Sequence, residues 1–106
     1  MKNKIALVTG GMGGIGTAIA RALSDAGAKV AVTYYKKGNH ELAQQWLKEQ
    51  LQAGYDFRAF YVDLTDYSAT EKMVNAVVQE MGRIDILVNN AGITADSSLL
   101  KMIPEQ

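Results

Sequence analysis

The chain has 106 residues, with 11 basic and 11 acidic side chains, one His, no Cys and a hydrophobic fraction of 48%, which predicts one globular domain with its own core. A formal net charge of zero gives no overall field to attract a polyanion, so nucleic acid is not an expected partner. Without Cys there is no disulfide, thiolate metal site or Cys nucleophile, a composition that fits a cytoplasmic protein. The apolar runs are strand-sized, far below the about 20 residues that span a bilayer, and Met1 to Ile5 lead so quickly to a glycine loop at Gly10 that no signal peptide is expected.

Ile5-Ala6-Leu7-Val8 lacks polar alternation and predicts a buried strand. Ile15, Ala18, Ile19, Ala22, Leu23 and Ala26 then recur with the spacing of one helix face, and Gly27 stands where a left-handed stop is wanted. Val30 to Tyr34 predicts a second strand. Leu42, Ala43, Trp46, Leu47 and Leu51 mark a second helix, with Asn39 as its cap and Gly54 as its stop. Phe57 to Val62 reads as a third strand. Ser68-Ala69-Thr70-Glu71 fits a capping box for a third helix whose inner face carries Met73, Val74, Val77, Val78 and Met81. Gly82 ends that helix, and Ile84 to Val88 forms a fourth strand.

The order is βαβαβαβ, with units starting about 27 residues apart, the size of a βαβ repeat. A leucine-rich solenoid has a similar period, but its L-x-x-L-x-L spacing is missing. Right-handed crossovers with short connections give an α/β fold, a parallel sheet with helices on both faces.

Thr9 and the loop Gly10-Gly11-Met12-Gly13-Gly14-Ile15-Gly16 join the first strand to the first helix. A glycine cluster serves any tight turn. Here it opens an amphipathic helix, whose free N–H groups and dipole favour an anion. Missing side chains at Gly10, Gly14 and Gly16 allow a pyrophosphate to approach the backbone and the helix to pack close to the sheet. A P-loop is excluded, because Thr17 stands where its phosphate-binding Lys belongs. A dinucleotide is the expected ligand.

Thr9 with the Gly-x-x-x-Gly-x-Gly spacing of Gly10, Gly14 and Gly16 resembles the short-chain dehydrogenase/reductase family. Three further segments agree with it in order: Asp63-Leu64, Gly82-Arg83-Ile84-Asp85 and Asn89-Asn90-Ala91-Gly92. The resemblance covers essentially the whole chain and implies a Rossmann-type doubly wound sheet of strand order 3-2-1-4, present here as its N-terminal portion. Within the family, residues 9–16 and 89–96 look most like the acetoacetyl-CoA reductases, which use NADPH to reduce a 3-ketoacyl-CoA to the (R)-3-hydroxyacyl-CoA in polyhydroxyalkanoate synthesis. The 3-oxoacyl-acyl-carrier-protein reductases share most of these motifs.

An NAD site usually places a carboxylate at the end of the second strand, to accept from the ribose 2′-hydroxyl. This chain has Tyr34-Tyr35-Lys36-Lys37 there and no acid before Glu41. An ammonium pairs with a 2′-phosphate where a carboxylate repels it, so NADP(H) is expected over NAD. The plainer reading of Lys36 and Lys37 is a solvated loop. Asp63 and Leu64 read either as a turn or, as the resemblance implies, as part of the adenine pocket. Asn89-Asn90 likewise fits a turn, while the resemblance places Asn90, Ala91, Gly92 and Ile93 along the cofactor. Asp96 matches a position near the substrate entrance and equally fits an exposed loop. Trp46, Met73 and Met81 are expected in the core, and His40 has no second His or acidic cluster to make a metal site or triad.

Family chemistry needs a Ser and a Tyr-x-x-x-Lys pair, the Tyr donating a proton as hydride reaches the carbonyl carbon. Tyr34, Tyr35, Tyr55, Tyr61 and Tyr67 are followed four residues on by Gly38, Asn39, Ala59, Thr65 and Glu71. No pair exists, and neither Asn89 nor Asn90 matches the family's catalytic Asn. Pro104 and Glu105 suit the first turn of a helix that Gln106 cuts short. The expectation is the cofactor-binding part of a longer reductase, inactive alone, with an open edge on its fourth strand that favours a homo-oligomer. Two rivals remain: a naturally short, non-catalytic nucleotide-binding or assembly module, and a receiver-like domain with Asp63 as phospho-acceptor. The receiver lacks the acidic pair for Mg²⁺ after its first strand, where Thr9-Gly10-Gly11 stands.

Overall fold

The computed structural model describes residues 2–35, 40–91 and 96–104. Four strands, β1 (Ile5–Thr9), β2 (Lys29–Tyr34), β3 (Arg58–Tyr61) and β4 (Ile86–Asn89), alternate with helices α1 (Gly14–Asp25), α2 (His40–Gln52) and α3 (Tyr67–Met81), followed by α4 (Asp96–Met102). The sheet runs β3-β2-β1-β4, every pair parallel. Leu7 lies between Ala31 and Leu87, which fixes the register at the centre. All five β1 residues are buried, as the unbroken apolar run requires of a strand covered on both faces.

Alternation along the strands sends side chains into two cores. Val8, Val30 and Val32 meet Ala20 of α1 and Trp46 of α2, with Phe57 before β3. Leu7 and Ala31 meet Met73, Val74 and Val77 of α3 and Leu99 of α4. Helices α1 and α2 thus cover one face, and α3 with α4 the other. The β4 residues are only half-buried, the outer strand at that side of the sheet among the described residues.

Several local expectations need correction. The inner face of α1 is Gly16 and Ala20, flanked by half-buried Ile19 and Leu23, whereas Ile15, Ala18, Ala22 and Ala26 are exposed. Exposed alanines and an exposed first-turn Ile mimic an inner stripe without being one. On α2, Leu42 and Leu51 are exposed, and the buried residues are Ala43, Trp46 and Gln50. The α3 cap is Asp66, not Ser68: its carboxylate accepts from the N–H of Ala69 at 3.0 Å, at the third helical position. Pro104 follows α4, as Pro does beyond a helix end, and Glu105 and Gln106 lie outside the described residues. Asn39 lies outside the described residues.

Candidate dinucleotide site

The loop after β1 sits at the carboxyl ends of the strands, where β1 has β2 on one side and β4 on the other. Its glycines divide by physical role. At Gly16 an added Cβ would stand 2.5 Å from the carbonyl oxygen of Gly10 and 2.7 Å from Cα of Gly11, so α1 seats itself directly on the loop backbone. At Gly11 it would stand 2.5 Å from Val32 Cγ1, a packing role that motif spacing did not mark. Gly10 adopts φ +64°, beside Ala91. Gly13 and Gly14 have open space where a side chain would be. Backbone is therefore bare to a ligand at the point where the first-turn N–H groups of α1 lack intrahelical acceptors.

Neutral groups hold this loop from both sides. From β2, Thr33 Oγ1 accepts from Gly10 N–H at 3.1 Å and its carbonyl accepts from Gly11 N–H at 3.2 Å. After β4, Asn90 Nδ2 donates to the Gly10 carbonyl at 3.0 Å. The Thr9 hydroxyl donates to Asn89 Oδ1 at 2.8 Å and accepts from Ala91 N–H at 3.3 Å. The structure therefore brings residues 10–16, Asn90 and Ala91 together. Motif spacing does not mark Thr33; its signal is a polar residue in an otherwise apolar buried strand.

A cavity of about 520 Å³ opens between the loop and α2, lined by Gly10, Met12 and Gly13 on one side, Thr33, Tyr34 and Tyr35 at its floor, and Leu42, Ala43, Gln45, Trp46 and Glu49 across it. Trp46 is a core residue as expected, and it also forms a wall of this cavity. The absence of a carboxylate from the end of β2 holds through Tyr35; Lys36 and Lys37 lie outside the described residues, as do Gly92 and Ile93. Ile15 is 73% exposed at the loop. Leu64 packs into the α3 core. Asp96 begins α4.

Asp63, beyond β3, accepts from the hydroxyl and N–H of Thr65 at 2.6 and 3.0 Å, which hold its carboxyl below the usual carboxylate value. The Tyr35 phenol faces it, and the Asp63 charge holds that phenol above its usual value, protonated and able to donate. Tyr61 stands 5.6 Å from the Tyr35 ring and 4.7 Å from that of His40, whose Nδ1 is 2.9 Å from the Tyr34 hydroxyl. This aromatic corner joins the ends of β2 and β3 to the start of α2, and periodicity gave no sign of it.

These features fit a dinucleotide: bare loop backbone at a helix N-terminus, a tight α1 seat made by Gly16, and a β2 end with no carboxylate at Tyr34 or Tyr35. The family model for short chain dehydrogenase matches residues 4–106. The chain is 45% identical over 102 residues to nodulation protein G of Azospirillum brasilense, covering 96% of this chain and 41% of that protein. It is 41% identical over 102 residues to acetoacetyl-CoA reductase of Cupriavidus necator, with the same coverage. To a 3-oxoacyl-acyl-carrier-protein reductase of Staphylococcus aureus it is 41% identical over 99 residues, 93% of this chain and 39% of that one. The chain thus spans about two fifths of the length of the curated relatives it matches. Among solved structures, it resembles a blue fluorescent protein from a metagenomic library in complex with NADPH, with TM-score 0.75, 37% identity, and coverage of 89% of this chain and 38% of that one.

Proposed function

The chain belongs to the short-chain dehydrogenase family, and from that premise we propose that it is the NADP(H)-binding portion of a reductase that, whole, converts a 3-ketoacyl-CoA such as acetoacetyl-CoA to the (R)-3-hydroxyacyl-CoA. The observation that carries the reading is the loop itself, with Gly13 and Gly14 open to a ligand beside a β2 end that has no acid through Tyr35. Likeness to a structure holding NADPH and to an acetoacetyl-CoA reductase supports it. A 3-oxoacyl-acyl-carrier-protein reductase is the second reading, favoured by equal identity to the Staphylococcus aureus enzyme.

When bound, the cofactor supplies hydride for carbonyl reduction. The chain's own residues bind and orient it. First-turn N–H groups of α1 would hold the pyrophosphate, Lys36 with Lys37 would pair the 2′-phosphate, and Asp63 would accept from the adenine edge, with Leu64, Asn90, Ala91, Gly92 and Ile93 alongside. The family resemblance assigns Asp96 to the substrate entrance. The proton donor lies elsewhere, because no Tyr here has a Lys four residues on. On this reading the 106-residue chain binds without turning over, its open β4 side favours a homo-oligomer, and its cysteine-free composition fits the cytoplasm. Among the described residues no helix is long and apolar enough to cross a membrane.

Titration of the chain with NADPH and NADH tests the binding. NADPH is expected to bind more tightly, and Lys36→Asp to cut the preference about tenfold or more by replacing attraction with repulsion. An unchanged preference removes the 2′-phosphate assignment, and ketoacyl-CoA turnover by the mass-verified chain refutes its inactivity.

A further inference from the structure

Helix α1 presents Thr17, Arg21 and Asp25, each one turn after the last, toward α2 and the segment that follows it. Each is tied to that side through a polar side-chain contact. Trp46 Nε1 donates to Thr17 Oγ1 at 3.1 Å, Arg21 Nε donates to Gln50 Oε1 at 2.8 Å, and the Tyr55 hydroxyl donates to Asp25 Oδ1 at 2.9 Å. Beneath them the Trp46, Phe57 and Tyr55 rings stack in series, at 5.5 and 5.6 Å between centroids and within about 21° of parallel. As joints between elements the three ties are equivalent. As parts of a binding site they are not.

The first tie alone continues into the glycine loop. The Thr17 hydroxyl, which accepts from the indole, donates in turn to the Gly11 carbonyl at 3.5 Å. Thr17 N–H closes the first helical turn on the Gly13 carbonyl at 2.8 Å. The indole cannot re-aim cheaply, since Trp46 is 9% exposed and stacked on Phe57. Gly11 is confined on its other side by Val32 and by the Thr33 carbonyl. Because a peptide group is planar, fixing the Gly11 carbonyl also fixes the Met12 N–H, which points the opposite way from the same plane. Met12 lines the cavity that Trp46 walls on its far side.

We infer that Trp46 and Thr17 are positioning residues for the dinucleotide: their indole–hydroxyl–carbonyl chain presets the Gly11–Met12 peptide before a ligand arrives. A preset loop spends less of its binding free energy on ordering itself. The inference rests on the dinucleotide reading above and assigns to α2 a share in affinity that its sequence did not declare.

The test uses the full chain in four variants, with NADPH titration, amide hydrogen exchange over residues 11–14 and thermal unfolding. Thr17→Val deletes both bonds at near-constant volume. It is expected to weaken NADPH binding about three- to tenfold, the size of one or two net hydrogen bonds, and to speed exchange at Met12 and Gly13. Thr17→Ser restores both. Trp46→Phe keeps a ring on Phe57, deletes the donor together with part of the ring volume, and serves should Thr17→Val fail to fold; its affinity moves in the same direction. Gln50→Met breaks the neighbouring tie, lowers stability and leaves NADPH affinity within about twofold. Native affinity and exchange in Thr17→Val, or equal loss of affinity in Gln50→Met, overturns the inference. Absence of saturable NADPH binding by the unmutated chain instead overturns the dinucleotide reading, while the exchange comparison still decides whether Thr17 holds the loop.

Discussion

The two ends of β1 are both pinned by side chains, but by different chemistry. At the amino end, the Asp85 carboxylate accepts from Ile5 N–H at 2.9 Å and from Arg83 Nε at 2.8 Å, while Arg83 Nη2 donates to the Asn3 carbonyl at 3.0 Å. At the carboxyl end, among the described residues, Thr9, Thr17, Thr33 and Asn90 hold the glycine loop with hydroxyl, amide and backbone groups. A carboxylate bonded to the loop would oppose the field of the α1 N-terminus, and a cation bonded there would collapse onto any free anion. On the dinucleotide reading proposed above, a neutral frame suits a polyanion, whereas the far end is free to use charge.

The largest blow to the carboxyl end is Gly16→Ala. Its methyl meets the Gly10 carbonyl oxygen at 2.5 Å, a backbone atom with nowhere to go, so α1 must lift from the loop. Stability should fall by about 1–3 kcal/mol, as for overpacked sites, and NADPH affinity by about tenfold or more. Calorimetric titration beside thermal unfolding checks both. Native affinity in a folded variant would mean that the close seat of α1 is unimportant to the site.

A smaller effect isolates charge from geometry. Asn90→Ala removes the donor to the Gly10 carbonyl and should weaken NADPH binding about fivefold. Asn90→Asp removes the same donor and adds a negative charge beside the loop, so its affinity should fall several-fold further, and more so at low salt. Equal losses in the two variants across a salt series would defeat the idea that the loop is kept neutral for its ligand.

The βαβαβαβ order and a parallel sheet with helices on both faces were legible in the sequence, because buried parallel strands are unbroken apolar runs and glycines punctuate the helices between them, whereas the strand order 3-2-1-4 came only with the family resemblance. The loop was legible for the same reason: bare backbone has only one sequence signature. Its supports were less so. Thr17, Arg21 and Gln50 join α1 to α2 through polar atoms, and apolar periodicity passes over them in favour of Ala18 and Ala22, which are exposed. Gln50 is 5% exposed, yet in sequence it is one more polar residue in a helix. Ser68 made a tidy capping box, but Asp66 stood two positions earlier with a carboxylate that reaches the same kind of N–H. Residues 96–102 form one short helix with Leu99 buried, too few apolar positions to display a period.

The amino end of β1 offers the smallest effect and the cleanest contrast. Ile5 N–H is the first cause of the lowered Asp85 pKa, with Arg83 adding to it against a partial opposing effect of burial. A carboxyl whose folded pKa lies below its unfolded value binds fewer protons folded than unfolded near that pH. Its stabilisation is therefore complete above the ordinary carboxylate range and drains away as pH falls through the lowered folded value. Asp85→Asn should lower Tm modestly at pH 7 and flatten the acid limb of the Tm–pH curve, the two proteins converging at the most acidic pH at which both still fold. NADPH affinity should stay native, since the loop lies at the other end of the strand. Loss of affinity in this variant, with Tm unchanged, would show that the two ends of β1 are coupled and that charge at one reaches the other.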